Sequence, residues 1–208
     1  VRYVGEPIAI VLAEDPYVAE DAEELVFADI EDLAPVLQAI DPPGAFDADH
    51  GTEPAVVLKE YGDLAAAFAG AAQVIELELS VGRHSGVPLE TRGALAVREA
   101  ATGILRMYGA AKVPHANRLA IAGMLGIDPA MIHLHEGHVG GGFGIRGELY
   151  PEDVLVCLAA LRLDRPVKWI EDRREHLLAA NHSRDQRHRI RAAVDATGYV
   201  LGVEDQFW

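Results

Sequence analysis

The stretch Val139-Gly140-Gly141-Gly142-Phe143-Gly144-Ile145-Arg146 decides how this sequence is read. Three successive glycines let a backbone come close to a ligand and leave N–H groups unshielded by side chains. Such donors suit phosphate or other electronegative cofactor atoms. The run follows residues 131–135, which read as a short strand, and precedes a helix that opens at Pro151. Anions are often held at junctions of this kind. No Gly-Lys-Ser/Thr follows, so this is not a Walker A loop. The G-x-G-x-x-G spacing of a dinucleotide fingerprint and its βαβ context are missing too. Taken alone, the run reads equally as a cofactor cradle or as a plain tight turn.

The elements around it are well marked. Helix 151–163 has Pro151 in its first turn with Glu152 and Asp153, where the helix dipole favours acids. Leu155, Leu158, Ala159 and Leu161 suggest its buried side. Pro166 ends it, and Val167 to Ile170 is strand. Upstream, helix 116–125 shows Leu119, Ala122 and Leu125 on one side and stops at Gly126. Ala100-Ala101-Thr102-Gly103 and Asp195-Ala196-Thr197-Gly198 each separate two apolar runs, as in a β-hairpin whose glycine takes a positive φ. The second half is therefore expected to hold antiparallel sheet.

The first half is less regular. Residues 1–12 and 27–30 alternate as strands do, around a helix capped by Asp15-Pro16 with a stripe at Val18, Ala22, Leu25 and Val26. Residues 31–60 lack a pattern, and Pro42-Pro43-Gly44 with 47–54 looks like an exposed connection. Ala-rich 63–72 reads as a short helix leading into a strand at Val74 to Val81. The sequence starts at Val1 and ends at Trp208, each inside a strand-like run, so a piece of a longer protein is expected.

Half of the 208 residues are apolar, enough for a core, and the net charge of −15 argues against nucleic acid or an anionic membrane as partner. The Arg-rich stretch Arg184 to Arg191 reads as the solvated face of a strand. A single cysteine, Cys157, excludes a disulfide framework and a multi-cysteine cluster within the sequence. It sits among Leu155 and Leu158 and reads as a buried apolar residue. No apolar run approaches the roughly 20 residues of a membrane span, and no signal peptide is visible, so a cytoplasmic location is expected.

Five segments give the glycine run its context. They are Arg2-Tyr3-Val4-Gly5-Glu6-Pro7-Ile8-Ala9, Ser85-Gly86-Val87-Pro88-Leu89-Glu90-Thr91-Arg92-Gly93, Val113-Pro114-His115, Val139 to Gly144, and Arg165-Pro166-Val167-Lys168-Trp169. In this order they resemble the large subunit of the molybdenum hydroxylases, the family of xanthine dehydrogenase, aldehyde oxidase and CO dehydrogenase. The resemblance covers nearly the whole sequence. It implies an α+β fold: residues 1–45 as the end of an α/β hammerhead domain, 46–74 as linker and short helix, and 75–208 as the first part of the molybdopterin-binding domain.

The resemblance also implies the chemistry. Family members hydroxylate an aldehyde, an N-heterocycle or a similar small molecule with oxygen from water, or oxidise CO. They use molybdenum held by molybdopterin, often as the cytosine dinucleotide, and pass electrons to Fe–S clusters and FAD on partner chains or domains. The expected partners are those Fe–S and FAD subunits and a second copy of the large subunit. Gly141, Gly142, Phe143 and Gly144 match the loop beside the molybdenum, and Arg146 a basic position just after it. Lys112 departs from the pattern, since the family commonly carries a Gln there, two residues before the Pro-His pair. A Lys donates hydrogen bonds but accepts none, so a Lys112 in the pocket alters substrate or reaction, whereas a Lys112 in solvent does neither. The family's general base is a glutamate further downstream, so these 208 residues alone are expected to be inactive.

Other residues invite chemistry. His133, His135 and His138 with Glu136 raise the question of zinc, but ordinary histidines at a pocket edge or on the surface are the favoured reading. Glu90 and Arg92 suggest a buried structural pair. Glu148, Glu152 and Asp153 are explained by their place near a first helical turn. A non-catalytic paralogue that binds no molybdenum remains the competing reading.

Overall fold

The computed structural model describes residues 1–208 except 46, 54 and 110–112. The chain divides into two compact units, each built from two separate stretches. One comprises 1–28 and 85–182, the other 29–84 and 183–208. The expected boundaries at 45/46 and 74/75 follow chain order, whereas these units interleave along it.

In the first unit, strands β2 (Gly93–Arg98), β3 (Leu105–Gly109), β4 (Ile132–His135) and β5 (Val167–Ile170) form a sheet ordered β4-β3-β2-β5. The β2–β3 hairpin is antiparallel, with Arg98 opposite Leu105 and Gly103 at φ 73° in its turn. β4 pairs parallel to β3, placing His135 beside Tyr108. Helices α3 (Pro114–Leu125) and α4 (Pro151–Leu163) pack against the sheet. Ala96, Leu105, Ile121, Ile132, Cys157 and Ala160 are almost wholly buried between these layers.

Both helices bury only part of the expected stripe: Ala159 and Leu161 on α4 and Ala122 and Leu125 on α3 meet the core. On α4 the buried residues are Val156, Cys157, Ala159 and Ala160, while Leu158 is exposed. On α3 they are Asn117, Ile121 and Ala122, while Leu119 is exposed. Each helix is apolar on more than one side, so periodicity alone does not choose the stripe. The start of α4 is as expected, with Tyr150 as N-cap and Asp153 accepting from its N–H at 3.2 Å. A further short helix, α5 (Arg173–Ala179), opens on a capping box of Asp172 and Glu175.

The first unit also holds α1 (Pro16–Glu23), whose cap Asp15 accepts from Tyr17 N–H at 2.8 Å. The strands expected at 1–12 and 27–30 are not formed. Ile8, Ile10, Leu12, Phe27 and Ile30 are exposed and lie in no ladder among the described residues. Alternation selects a face, but a strand exists only where a neighbour takes its backbone hydrogen bonds.

The second unit holds α2 (Leu64–Ala69) and a sheet ordered β1-β6-β7, from β1 (Gln73–Ser85), β6 (His182–Val194) and β7 (Val200–Phe207). Asp63 caps α2. The β6–β7 hairpin turns at Gly198, φ 86°. Arg191 reaches Glu76 on β1 and Glu204 on β7, which identifies the Arg-rich stretch as a solvated sheet face. Among the described residues no helix is long and apolar enough to cross a membrane.

Candidate cofactor site

Residues 86–92 belong to no regular element, yet the carbonyls of 88–92 do not go unpaired. Arg173 Nη2 donates to Pro88 O at 2.6 Å and Leu89 O at 2.9 Å. Arg146 Nη2 donates to Glu90 O and Thr91 O, both at 2.9 Å. Glu171 N–H donates to Arg92 O at 2.9 Å. Five successive carbonyls thus find donors outside the segment, four of them on arginines. This satisfies backbone acceptors that a sheet or helix would otherwise have to pair.

The glycine turn lies against this segment. Gly140 N–H donates to Glu90 Oε2 at 2.7 Å. Arg146, only 6% exposed, donates through Nε to Gly141 O at 2.8 Å. Gly142 O accepts from Ile145 N–H at 2.9 Å and Gly144 O from Gly147 N–H at 3.0 Å. Tyr150 fixes the far end, its hydroxyl donating to Ile145 O at 2.9 Å. The bend places Gly141, Phe143 and Gly144 at φ 105°, 48° and 94°. Glycine takes such values freely, whereas Phe143 is strained there.

One consequence concerns the opposite side of the same peptides. The carbonyls of Gly141, Gly142 and Gly144 are taken by the protein itself. The N–H groups of Gly141, Gly142, Phe143 and Gly144 have no acceptor among the described residues. A Cβ on Gly142 or Gly144 would meet nothing within 4 Å, so the space over them is open. Phe143 is 77% exposed beside them. Four successive free donors in a backbone concavity fit a ligand that presents phosphate or other electron-rich oxygens.

Next to the turn is a cleft of about 420 Å³, lined by Glu90, Arg92, Val139 and Arg146 and, across it, by Tyr108, His135 and His138. His135 stacks on Tyr108 with ring centres 4.9 Å apart. Arg106 Nη1 lies 3.2 Å from His135 Nε2. An arginine can only donate, so Nε2 accepts and the ring carries its proton on Nδ1. Among the described residues no cluster of three or more His, Cys, Asp or Glu is placed to hold a metal ion, and zinc has no site at 133–138. Lys112 lies outside the described residues; Gly109, three positions before it, lines the cleft.

Below the cleft is a buried charge network that sequence reasoning paired wrongly. Glu90 and Arg92 do not bind each other. Glu90 joins Arg146 at 3.0 Å, while Arg92 joins Glu171 at 2.6 Å and Glu152 at 3.3 Å. The Arg92 guanidinium lies over the Tyr150 ring, 3.7 Å from its centre. His176 Nδ1 lies 2.8 Å from Glu171 Oε2. Burial opposes ionisation of Glu171, but Arg92 and His176 outweigh it and hold the carboxyl below its usual range. Glu171, His176, Arg173 and Tyr150 gave no signal of their own in the sequence, because each matters through a partner distant along the chain.

Comparison with known proteins identifies the family. Residues 49–208 match the molybdopterin cofactor-binding domain family. The chain is 41% identical over 214 residues to the 6-hydroxypseudooxynicotine dehydrogenase complex subunit gamma of Paenarthrobacter nicotinovorans, covering 100% of this chain and 26% of that protein. It is 37% identical to the nicotine 6-hydroxylase large subunit of the same organism, covering 98% of this chain and 25% of that one. Among solved structures, quinoline 2-oxidoreductase from Pseudomonas putida 86 superimposes with a TM-score of 0.86 at 36% identity, over 99% of this chain and 27% of that one. The chain spans about a quarter of the length of these relatives. With its matched domain, its relatives and its folded glycine turn, the chain belongs to the molybdopterin-binding large subunits of the molybdenum hydroxylase family.

Proposed function

We propose that this chain forms the cofactor-cradling part of a molybdenum hydroxylase that oxidises a small organic substrate with oxygen from water. The observation that carries this reading is the row of free N–H groups from Gly141 to Gly144 beside an open cleft. Gly141, Gly142, Phe143 and Gly144 would donate to the cofactor's oxygens, and Arg146 holds the Gly141 carbonyl. The cytosine dinucleotide form of molybdopterin has the anionic groups such a cradle suits. When bound, the cofactor supplies two-electron oxidation chemistry. The protein's own part is to orient it and to present Tyr108 and His135, which line the cleft, to what enters.

The relatives' names refer to nicotine and quinoline, which favours an N-heterocycle over an aldehyde or CO. Electrons pass to Fe–S and FAD on partner chains or domains, in a complex with two copies of the large subunit. Residues 1–45 serve as the end of a hammerhead domain. Metal analysis of the native full-length complex tests the reading. About one molybdenum per large subunit is expected. Absence of molybdenum overturns it in favour of a non-catalytic paralogue, the reading that the departure at Lys112 raises.

A further inference from the structure

We infer that Glu90 is a positioning residue for the amide cradle: its carboxylate locks both ends of the glycine turn, leaving the N–H groups between them free for a ligand. The inference rests on reading the turn as a cradle. A single oxygen, Glu90 Oε2, accepts from Gly140 N–H at 2.7 Å and from Arg146 Nη2 at 3.0 Å. These donors flank the four free amides. Glu90 N–H donates back to Gly140 O at 3.4 Å, so the two backbones run against each other.

The contact explains why the run begins with glycine at this position. A Cβ on Gly140 would fall 2.5 Å from Glu90 Cβ, an atom fixed to the backbone. A Cβ on Gly142 would meet nothing within 4 Å. Gly140 is therefore small for the sake of Glu90, and Gly142 leaves the ligand side open. The charge arrangement agrees. A bare carboxylate beside an anion cradle would repel the ligand, but Arg146 sits against Glu90 and offsets its charge. Arg146 then carries the lock onward, since its Nε holds Gly141 O. With that carbonyl turned to Arg146, the N–H of the same peptide, on Gly142, is left to the open side.

The test uses the full-length subunit in its native complex, with Glu90→Ala and Glu90→Gln. Two quantities are read: hydrogen exchange at the bonded amides of Gly140, Ile145 and Gly147, and molybdenum per subunit. Glu90→Ala is expected to speed exchange at these three amides about tenfold, with α3 and α4 unchanged, and to lower molybdenum several-fold. Glu90→Gln keeps an acceptor oxygen and is expected to restore most of both. Gly140→Ala pushes the same contact apart while leaving Glu90 and Arg146 in place; it is expected to speed exchange likewise and serves if Glu90→Ala does not fold. Unchanged exchange in Glu90→Ala or Gly140→Ala overturns the lock, as does a Glu90→Gln no better than alanine. A wild-type complex without molybdenum overturns the cofactor reading instead, and the exchange arm still decides the lock.

Discussion

Arg92 and Glu171, 79 residues apart in sequence, are joined by three hydrogen bonds, from the Arg92 backbone N–H, Nε and Nη2. Both side chains are nearly sealed from solvent, at 8% and 0% exposure. The pair ties the irregular segment 86–92 to the end of β5, and through Tyr150 and His176 it reaches the start of α4 and α5. It is the joint on which the glycine turn's supporting segment rests.

Removing one partner leaves the other charge in a dry site with only a secondary partner, Glu152 for Arg92 or His176 for Glu171. Arg92→Ala or Glu171→Ala is expected to cost the intact subunit about 3–5 kcal/mol. Replacing both with apolar residues should cost less than the two single losses added together. Urea denaturation measures this, and a loss below about 1 kcal/mol for either single variant contradicts the reading.

The acid side of the stability profile has two opposing contributions. Glu171 titrates low, so its stabilisation is present above the ordinary carboxylate range and is lost as pH falls through its folded value. Asp153 behaves the other way. Burial pushes its carboxyl from 3.8 up to about 6, against the pull of the Tyr150 N–H and Arg92. Between these two values the folded chain holds a proton that the unfolded chain has released. Asp153 therefore opposes folding progressively as pH rises from the lower value to the higher. Asp153→Asn keeps the acceptor for Tyr150 and loses the charge. It is expected to gain about 1–3 kcal/mol at pH 7 and nothing at pH 3. Denaturation midpoints at both pH values check the sign, and a variant less stable at pH 7 refutes it.

The sequence told most where a local rule was sufficient. Helix α4 and strand β5 stand where Pro151, the two acids after it and Pro166 put them. Both hairpins form at their glycines. Residues 1–12 and 27–30 failed because strand formation depends on a neighbour, which no local pattern supplies. The glycine turn was legible because its free amides lie on four adjacent residues, Gly141 to Gly144. Its supports were not. The pairings of Glu90 with Arg146 and of Arg92 with Glu171 are set by the fold bringing distant residues together, and the neighbouring Glu90 and Arg92 invited the wrong pairing.

Cys157 is fully buried on α4, and burial, helped by the charge of Asp153, pushes its thiol up to about 12. Its thiolate is the reactive form and is scarce at neutral pH. Native protein is expected to resist iodoacetamide at this position, with alkylation appearing only as urea unfolds the chain. Rapid labelling at Cys157 without denaturant, read by mass spectrometry of the tryptic peptide, would exclude this placement.

The resemblance marks Lys112 as a departure from the family pattern, and it follows the cleft residue Gly109 by three in sequence. If its cation takes part in binding, Lys112→Gln should change the ratio of kcat/KM between a neutral N-heterocycle and an anionic one by about tenfold, on the scale of one charge-assisted hydrogen bond. An unaltered ratio in the full-length complex places Lys112 outside the pocket.

The glycines of the turn should separate folding from binding. Gly141 has φ 105°, and a Cβ there would lie 2.9 Å from Phe143 Cε2. Gly141→Ala is thus strained twice, by backbone and by contact, and is expected to lower stability by about 1–3 kcal/mol. Gly142 has neither problem, because its φ is not in the left-handed region and a Cβ would meet open space. Gly142→Ala is expected to leave the urea midpoint of the cofactor-free subunit within about 0.5 kcal/mol of wild type. The added methyl group would nevertheless stand where the ligand approaches the free amides, so molybdenum content should fall several-fold. Should Gly142→Ala keep both its stability and its full molybdenum content, the open side of the turn is not where the cofactor sits.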